Sequence, residues 1–409
     1  MATQFRRANS DLDLSVCHIA TATVGGAGIA AFRAHESLKL VGVKSNFLTP
    51  SRKVFGKQHS FNETFLSLKS KSLTLGQRMF IQKDSGRLVT PFSLNFMQGF
   101  QNNDSLIHLH AFYNLFNMKK LLELSRERKI VFTLHDERLF TGGCHYSNGC
   151  KGYVDSCRKC PQMFRVAWPT VERVKKLSTE LLKQPNIGLV CPSGWIRDQL
   201  LQAQTIDESR VQVIRNPIPH EGVLMPRSEI RASLGISASK MTLGFISSSL
   251  LNPLKGLNIL MRAIESSGRL QRKVHLILVG NGRLSPTSRD LGITFSEQYP
   301  NYSVSDFIRA MDFLVVPSLE DNLPNVLGES LMNGTPVIGS KVGGIPEILD
   351  DFNLPTINAG SVKELQAALS GINLEVNREE IKERARQTFG YSAIGTQLHH
   401  FYTKVLGNS

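Results

Sequence analysis

The sequence predicts an α/β protein with two domains, each built on its own parallel β-sheet. Short runs rich in β-branched residues alternate with helical periods along the chain, which is typical of parallel strands joined by crossover helices. The 409 residues also exceed what one hydrophobic core usually supports. A proline-rich stretch divides the strands into two sets. We therefore expect two α/β domains, each with its own parallel sheet.

Ten strands are predicted, in two sets separated by Asn216–Ser239. The first set is Val16–Ala20, Val43–Thr49, Leu106–His110, Ile130–Leu134, Ile187–Cys191 and Val211–Ile214. The second set is Leu243–Ser247, Val274–Val279, Phe313–Val316 and Pro336–Gly339. The stretch between them indicates an interdomain connection with a short helix over Arg227–Leu234. The predicted domains are residues 1–217 and 218–391. A last helix within 392–409 follows the second sheet and could pack back on either domain, including the first.

Composition limits the class of protein. Hydrophobic residues make up 41% and charged residues 20% of the chain, which excludes a mostly disordered or fibrous protein. The apolar runs are far shorter than the roughly 20 residues that a membrane-spanning helix needs. No apolar stretch or small-residue cleavage site follows Arg6 and Arg7, so a signal peptide is not expected. These features predict a cytoplasmic protein.

The net charge of +14 favours an anionic partner: nucleic acid, anionic phospholipid or a phosphate-bearing small molecule. Seven basic residues and a single acid, Glu63, lie between Ser51 and Lys83, with phenylalanine and leucine side chains between them. This stretch resembles an amphipathic segment that binds a membrane surface, although a solvated basic loop is an equal alternative. No RNA-binding signature or zinc-finger helix is found, so a nucleic-acid partner is not expected.

A glycine-rich turn follows the first predicted strand. Gly25, Gly26 and Gly28 stand where a helical period opens, and backbone amides at such a position can approach a phosphate or a sugar. The spacing does not match a dinucleotide-binding fingerprint. A tight turn between a strand and a helix is the alternative interpretation.

Histidines end two further strands of the first domain. In open α/β sheets, ligands bind at the carboxyl ends of the strands. His110 and His135 both stand at such ends. His135, which lies beside Asp136 at a strand tip, is predicted to lie in the site, with a structural histidine as the alternative. His108 points to the same side of its strand as His110 but lies deeper, so we interpret it as structural.

Four of the six cysteines lie within 17 residues, in the pattern C-x5-C-x6-C-x2-C: Cys144, Cys150, Cys157 and Cys160. In a cytosolic protein such clustering indicates metal binding more often than disulfides, and C-x2-C is the usual half of a tetrahedral thiolate site. The pattern predicts a structural zinc site, with reduced cysteines in an ordered loop as the alternative. The other two cysteines lie within apolar strands and are predicted to be in the core: Cys17 and Cys191.

The second domain carries the most specific pattern. Lys255-Gly256 opens a helix after a strand, which places an ammonium group where a diphosphate could lie on a helix N-terminus. Farther along, a strand tip delivers Asp321, and Glu329 follows eight residues later, about two helical turns away. Two carboxylates so placed can accept hydrogen bonds from sugar hydroxyls at different depths of one pocket.

These motifs carry a family resemblance. Pro317–Val337, followed by Gly343–Glu347, resembles the E-x7-E region of family 4 retaining glycosyltransferases of the GT-B fold. The resemblance extends over nearly the whole chain, through Gly25–Gly28, the His110 strand, Thr133–Asp136, Pro192–Trp195, Ile214–Asn216, Lys255-Gly256 and Val279–Gly282. Thr141–Tyr146 is similar to the branch of bacterial exopolysaccharide enzymes typified by colanic acid glycosyltransferases. The fold so implied has two Rossmann-like domains across a cleft, with the donor nucleotide in the C-terminal domain.

The resemblance also implies roles for individual residues. Glu329 would bind the nucleotide ribose, Asp321 the transferred sugar, and Lys255 the diphosphate. His135 would stand near the transferred sugar and His110 on the acceptor side. The implied catalytic residues are His135, Asp321 and Lys255, and the implied donor-binding residues are Lys255, Asp321, Glu329, Asn325, Gly25 and Gly26.

The implied reaction transfers a glycosyl group from a nucleoside-diphosphate sugar to a hydroxyl, with retention at the anomeric carbon. In such enzymes the leaving phosphate is thought to deprotonate the acceptor, so neither a protein base nor a catalytic metal is expected. The implied acceptor is a lipid-linked oligosaccharide of cell-surface polysaccharide biosynthesis, including exopolysaccharide or lipopolysaccharide. The protein would work in the cytoplasm, peripherally at the inner face of the membrane.

The chain departs from the family pattern at two places. Asp321 stands where the family usually has Glu, and Ser249–Leu254 lacks the Arg that commonly shares the diphosphate with the family Lys. Arg215 and Arg138 are left open as substitutes, which the sequence cannot decide. The alternatives are a non-catalytic protein of the same fold that binds a sugar nucleotide or a polysaccharide, and a GT-B-like epimerase. The sequence does not specify the donor's base or sugar, the acceptor or the linkage.

Overall fold

The computed structural model describes residues 14–49, 104–113, 115–220, 222, 225–282 and 291–407. The basic segment 51–83, predicted to contact a membrane, lies outside the described residues. Within the described ranges, every helix is too short or too polar to cross a membrane.

The first domain contains a six-stranded parallel sheet with the order β2-β1-β3-β4-β5-β6. Its strands are β1 (Ser15–Ile19), β2 (Lys44–Leu48), β3 (Leu106–Leu109), β4 (Ile130–Thr133), β5 (Ile187–Cys191) and β6 (Val211–Val213). Its helices are α1 (Gly25–Leu40), α2 (Met118–Glu127), α3 (Trp168–Leu182) and α4 (Gly194–Ala203). Short 3-10 helices cover Glu137–Leu139, Gly152–Val154, Arg165–Ala167 and Glu208–Arg210.

The second domain repeats this architecture with the strand order β12-β11-β10-β7-β8-β9, again parallel. Its strands are β7 (Met241–Ser249), β8 (Val274–Asn281), β9 (Gly292–Phe295), β10 (Phe313–Val316), β11 (Val337–Ser340) and β12 (Thr356–Ile357). Its helices are α5 (Arg227–Ser233), α6 (Leu257–Glu265), α7 (Gly268–Lys273), α8 (Val304–Ala310), α9 (Asn325–Met332), α10 (Ile345–Asp351), α11 (Val362–Ser370) and α12 (Arg378–Phe389). Short 3-10 helices cover Pro253–Lys255 and Ser296–Gln298.

All ten predicted strands are present, with ends that differ by at most two residues from the prediction. The strands β9 and β12 were not predicted; β12 is only two residues long, too short to leave a pattern. Strands such as β3, β4 and β10 are buried along their whole length. Helices cover both faces of each sheet, which explains why these strands read as continuous apolar runs rather than as alternating patterns.

The strand orders place a crevice in each domain. In the first sheet β1 lies between β2 and β3, and in the second β7 lies between β8 and β10. At such points, where the winding of the sheet reverses, the loops after neighbouring strands separate and leave room for a ligand at the carboxyl ends. The loops after β1 and β3 carry Gly25 and His110, while the loops after β7 and β10 carry Lys255 and Asp321. The topology thus brings together the residues that the sequence singled out.

The chain passes between the domains twice, and the two crossing segments lie side by side. Ile218, just after the first domain, donates its backbone N–H to Phe389 O at 2.8 Å and forms a bridge with Gly390. The last helix, α13 (Tyr391–Gly407), then packs against α1 in the first domain. The Tyr402 hydroxyl at its centre is buried and lies 2.6 Å from His108 Nδ1.

Close packing of α13 on α1 requires Gly395. A Cβ atom at this position would lie 2.3 Å from the Ser37 carbonyl oxygen, whereas one at Gly407 of the same helix would meet nothing within 4 Å. We expect Gly395→Ala to lower the free energy of unfolding of the first domain by about 1–3 kcal/mol, because the two backbones must separate. Gly407→Ala should leave it unchanged or raise it slightly.

Both tryptophans, Trp168 and Trp195, lie in the first domain, so urea unfolding followed by tryptophan fluorescence reports on this domain. Equal unfolding midpoints for the two variants would contradict the helix contact.

Candidate functional site

The carboxyl ends of the two sheets face one cleft of about 810 Å³. Residues from both domains line it. Those relevant to the predicted chemistry are Gly25, Gly26, Arg33, His135, His145 and Tyr146 from the first domain, and Lys255, Asp321, Asn325 and Glu329 from the second. Among the predicted site residues, His110 is absent from this lining.

Lys255 is positioned by a tight turn after β7. The Asn252 side chain accepts a hydrogen bond from Leu254 N at 3.1 Å, which fixes the turn. Gly256 then adopts a left-handed conformation with φ of 77°, and a Cβ atom there would lie 2.0 Å from Pro317 O. Only glycine satisfies both conditions, so the turn is held directly against the end of β10. The Lys255 ammonium consequently lies 2.5 Å from Asp321 Oδ2.

Asp321 is held by several partners. Its carboxylate is 8% exposed and also accepts hydrogen bonds from Ser318 Oγ at 3.3 Å and Asn322 N at 3.1 Å. The neighbouring acid, Glu320, points elsewhere: its Oε1 accepts from Asn148 N at 2.8 Å. Asp321 is therefore the acid of this pair that lines the cleft.

Glu329 lies in the second turn of α9 and forms an ion pair. Its Oε1 is 2.7 Å from Nη1 of Arg33, a residue of α1 in the other domain. Both side chains are mostly buried, with 16% and 17% of their surface exposed. Nη1 has no hydrogen bond of good geometry, so this contact is an ion pair without a directed hydrogen bond.

Arg33 is the arginine of the cleft lining, and the substitutes that the sequence suggested are elsewhere. Arg215 is paired with Glu347 and Asp351, and Arg138 lies beside Asp136 and over the Tyr113 ring. Neither of the two arginines that the sequence left open therefore lines the cleft. Sequence reasoning missed Arg33 although a signal was available, since it follows Gly26 by seven residues, two turns along the same helix face.

His135 lines the cleft as predicted, whereas His110 lies behind it. His110 is 3% exposed, and its Nδ1 is 3.1 Å from His135 Nε2. His110 therefore meets the cleft only through His135, and the acceptor-side role that the resemblance implied for it stays a prediction. Behind His110 stands His18, whose Nδ1 is 3.0 Å from His110 Nε2 and which the sequence did not single out.

His108 is structural, as interpreted. It is fully buried, with Nδ1 at 2.6 Å from the Tyr402 hydroxyl and Nε2 at 2.7 Å from Thr133 Oγ1. Burial lowers its pKa to about 3. A neutral imidazole has one donor and one acceptor, and the two hydroxyls satisfy both.

The cysteine-bearing loop supplies two residues to the cleft that sequence reasoning missed. His145 and Tyr146 line it as a stacked pair with ring centroids 4.3 Å apart. His145 Nε2 lies 3.9 Å from Asp136 Oδ2. The sequence signal for these cleft residues was the aromatic pair directly after Cys144. The cysteine spacing around it indicated a metal site instead.

The four clustered cysteines lie in one region without forming a compact metal cage. Cys144 and Cys160 are buried against Met163, with Cys157 packed beside them, and all four are free thiols. Burial raises the pKa of Cys144, Cys157 and Cys160. Sulfur atoms around tetrahedral zinc stand about 3.8 Å apart, given Zn–S bonds of about 2.3 Å. Within the described residues, no three of these cysteines have sulfur atoms that all lie within 4.8 Å of one another. In this arrangement the thiols do not fit a zinc site. Whether the four cysteines bind zinc stays a prediction. Cys17 and Cys191 are fully buried core residues.

Hydrogen bonds across the domain boundary hold the cleft walls. The Asn322 amide donates to Leu134 O at 3.0 Å and His135 O at 3.2 Å, and accepts from Ser193 Oγ at 2.8 Å. The Asn325 amide donates to Gly26 O at 2.9 Å, so this predicted donor-binding residue also joins the domains.

A second contact across the boundary is electrostatic. The Glu347 carboxylate of α10 accepts from Gly194 N at 2.9 Å and Trp195 N at 2.6 Å, the first amides of α4. A carboxylate at a helix N-terminus satisfies amides that lack partners in the helix and also opposes the positive end of its dipole.

Chemically, the cleft offers two cations, each paired with a carboxylate, and an open helix start. The N-cap residue of α1, Val24, makes no side-chain hydrogen bond, so the amides at Gly25 and Gly26 are not capped by a side chain. Uncapped amides and nearby ammonium and guanidinium groups are suited to a phosphate. The carboxylates of Asp321 and Glu329 are suited to hydroxyl groups.

Comparisons with known proteins point the same way. Residues 240–372 match the family model described as "Glycosyl transferases group 1". The glycosyl transferase WcaC of Escherichia coli (strain K12), named for colanic acid biosynthesis, is 23% identical over 321 residues, which cover 73% of this chain and 76% of WcaC. The glycosyltransferase TuaC of Bacillus subtilis (strain 168), named for teichuronic acid biosynthesis, is 25% identical over 312 residues, which cover 74% and 72% of the two chains.

Among solved structures, that of HepE from Anabaena in complex with UDP is similar in fold, with a TM-score of 0.58 and 15% identity over 95% of this chain and 99% of HepE. The resemblance to glycosyltransferases and the prediction of two parallel α/β domains of the GT-B type are thereby confirmed.

Glu137 lies directly behind the cleft residues. Its burial makes the free energy of unfolding depend on pH. Burial raises its pKa from 4.5 to about 7, and its Oε2 has no partner. The folded state thus keeps a proton that the unfolded state loses, and the free energy of unfolding should fall as the pH rises from about 4.5 to about 7. Glu137→Gln should remove most of this loss, which is of the order of 2–3 kcal/mol.

Urea midpoints from tryptophan fluorescence at pH 5 and pH 8 measure the effect. The variant should gain stability relative to the wild type at the higher pH. Glu123→Gln, at an exposed position of α2, serves as the control and should follow the wild type. If Glu137→Gln leaves the change in stability between pH 5 and pH 8 as it is in the wild type, the Glu137 carboxyl is ionised in the folded protein.

Proposed function

We propose that this chain, a glycosyltransferase with a group 1 domain over residues 240–372, transfers a sugar with retention from a nucleoside-diphosphate sugar to a hydroxyl of a lipid-linked saccharide. The transfer would serve the assembly of a cell-surface polysaccharide. The single observation that carries the proposal is the convergence of Lys255, Asp321 and Glu329 with the uncapped start of α1 in one cleft.

The donor would bridge the two domains. Its diphosphate would replace Asp321 as the partner of the Lys255 ammonium and would face the amides of Gly25 and Gly26. Asp321 keeps its hydrogen bonds from Ser318 and Asn322 when Lys255 moves, so it stays oriented toward the sugar hydroxyls. Because negative charge develops on the departing diphosphate, cations and amides already in place there lower the barrier to transfer.

Glu329 would bind the ribose hydroxyls, and Arg33 would adjust to that event. In the present arrangement Arg33 neutralises Glu329 across the cleft. A ribose that donates hydrogen bonds to the carboxylate would share Glu329 with this arginine and leave its second guanidinium nitrogen free for an anionic group. Arg33 would thereby supply the positive charge that the segment before Lys255 lacks.

The acceptor would enter on the first-domain side, past His145 and Tyr146. Both named relatives carry names from polysaccharide biosynthesis, which supports a saccharide acceptor. Retention fits a reaction in which the leaving phosphate takes the acceptor's proton, so no side chain is assigned as a base. Neither a catalytic metal nor a cofactor is part of the proposal.

A donor should stabilise the protein, and Glu329 should be required for this. We expect the thermal unfolding midpoint to rise with one class among UDP-, GDP- and ADP-sugars, since a ligand of the native state adds about 2.7 kcal/mol at 100 times its Kd. Glu329→Ala should weaken the donor by about 10- to 100-fold, because it removes hydrogen bonds to a charged acceptor. It should also abolish glycosyl transfer.

Glu375→Ala, at an exposed position of the same domain, is the matched control. Transfer that persists in Glu329→Ala would refute the assigned site. Donor binding without transfer to any saccharide would favour a binding protein, and turnover of the donor without an acceptor would favour an epimerase.

Membrane contact through the basic segment 51–83 makes a separate prediction. The full chain should sediment with anionic liposomes but not with phosphatidylcholine liposomes, and binding should weaken with added salt. Each lysine near an anionic surface contributes about 1 kcal/mol. Replacing Lys53, Lys57, Lys69 and Lys71 together by Gln should therefore lower liposome binding by at least about tenfold. Binding that survives these replacements would exclude this segment as the contact.

A further inference from the structure

Three histidines form a hydrogen-bonded row from the cleft into the core. His135 Nε2 lies 3.1 Å from His110 Nδ1, and His110 Nε2 lies 3.0 Å from His18 Nδ1. His135 lines the cleft, while His110 and His18 are buried at 3% and 0% exposure. The row therefore connects the cleft to a residue that no substrate can touch.

The three rings are neutral at physiological pH. Burial is the largest cause in each case: it lowers the pKa of His135 to about 4 and that of His110 and His18 well below 6.5. A neutral imidazole carries one N–H and one bare nitrogen. Each contact in the row needs one donor and one acceptor, so the choice made in one ring determines the choice in the next.

The row can thus exist in two arrangements. In the first, His18 Nδ1 donates to His110 Nε2, His110 Nδ1 donates to His135 Nε2, and His135 carries its proton on Nδ1. In the second, every proton moves to the other nitrogen of its ring, and His135 has a bare Nδ1. The two arrangements give the cleft opposite chemistry, a hydrogen-bond donor or an acceptor.

The buried end of the row favours the first arrangement. His18 Nε2 is buried and has no hydrogen-bond partner. In the first arrangement this atom is a bare nitrogen, and in the second it is an N–H without an acceptor. Orphaned buried N–H groups are rarer in proteins than under-satisfied acceptors. The deep end therefore disfavours a proton on His18 Nε2.

At the cleft end, His135 stands beside a carboxylate. The Asp136 carboxylate is the charged group that acts on His135, where it favours positive charge. The potential of a carboxylate attracts the positive end of an N–H dipole. Since His135 Nε2 is occupied by His110, Nδ1 is the ring nitrogen left for the cleft, and the first arrangement gives it the proton.

We propose that His18 and His110 are positioning residues which fix the proton of His135 on Nδ1, so that the cleft receives a neutral N–H donor. This donor can bind an oxygen of a sugar or a phosphate but cannot remove a proton from an acceptor. That the bound oxygen belongs to a donor sugar rests on the proposed function. The tautomer itself does not depend on any substrate.

A metal is the other use that such a cluster permits. Nitrogen atoms of His18, His108 and His110 lie within 4.8 Å of one another. However, both nitrogens of His108 already have hydroxyl partners, Tyr402 and Thr133. A metal would have to break these hydrogen bonds as well as the row, so the hydrogen-bonded arrangement is the one that we adopt.

Nuclear magnetic resonance tests the proposal on the full chain without a ligand. In a long-range ¹H–¹⁵N spectrum of protein labelled on histidine nitrogen, each neutral ring shows which nitrogen carries the proton. His135→Asn identifies the His135 signals by their loss. At pH 7 we expect the proton on Nδ1 of His135, His110 and His18. A proton on Nε2 of His135 would overturn the proposal, as would a metal bound in stoichiometric amount to the purified protein.

A pair of variants tests the remote control by His18. The amide nitrogen of Asn can occupy the place of His Nδ1 and still donate to His110, whereas Leu cannot. His18→Leu should therefore let His135 populate both tautomers, and His18→Asn should retain the wild-type one. Glycosyl transfer should fall by about tenfold in kcat for His18→Leu, equivalent to about 1.4 kcal/mol, and recover in His18→Asn.

The two readouts separate the possible failures. If the wild type binds no donor but shows the expected tautomer, only the proposed function fails. If transfer proceeds and His18→Leu leaves the His135 tautomer unchanged, only the positioning role fails. Should His18→Leu not fold, the wild-type spectrum alone still decides the tautomer.

Discussion

The amide of Asn322 holds the site together. Asn322 follows β10 at the carboxyl end of the second sheet, and its side chain bonds to two carbonyls at the end of β4 and to Ser193 at the start of α4. An amide offers two donor hydrogens and an acceptor oxygen, which these contacts use. It is 4% exposed, so these groups would be buried without partners if the domains separated only slightly. The closed arrangement is thereby favoured, and the two strand tips that carry Asp321 and His135 are held at a fixed separation.

Domain closure in turn determines the charges in the cleft. Arg33 and Glu329 belong to different domains, and each would be an isolated, mostly buried charge without the other. Isolated buried charges are costly, so this pair forms only when the domains close. Lys255 and Asp321, by contrast, lie in one domain and pair regardless of closure. The cleft therefore combines one cation–carboxylate pair that does not depend on domain closure with one that does. A ligand that separates the domains disturbs the second pair and leaves the first intact.

Much of this arrangement was predictable from the sequence. The strand positions follow from short apolar runs, and the sites at their carboxyl ends follow from parallel topology, which is why Lys255, Asp321, Glu329 and His135 are all found in the cleft. The contacts across the domain boundary were not predictable, because no periodicity relates residues as distant as Arg33 and Glu329. The same holds for His18, which reads as one more buried strand residue. Its link to the cleft depends on the register of β1 against β3, which pairs His18 with His108.

The loop of residues 141–163 forms part of the cleft wall, although none of its residues is assigned a chemical role. This loop has only a short 3-10 helix, yet it must hold His145 and Tyr146 at the cleft. Its small apolar core of Cys144, Cys160 and Met163 packs against Val171 of α3. From the other side, the Asn148 amide donates to Glu320 of the second domain. The loop is therefore fixed both to its own domain and to the opposite one, and separation of the domains would remove the second attachment. The same closure that pairs Arg33 with Glu329 thus completes the entrance that we propose for an acceptor.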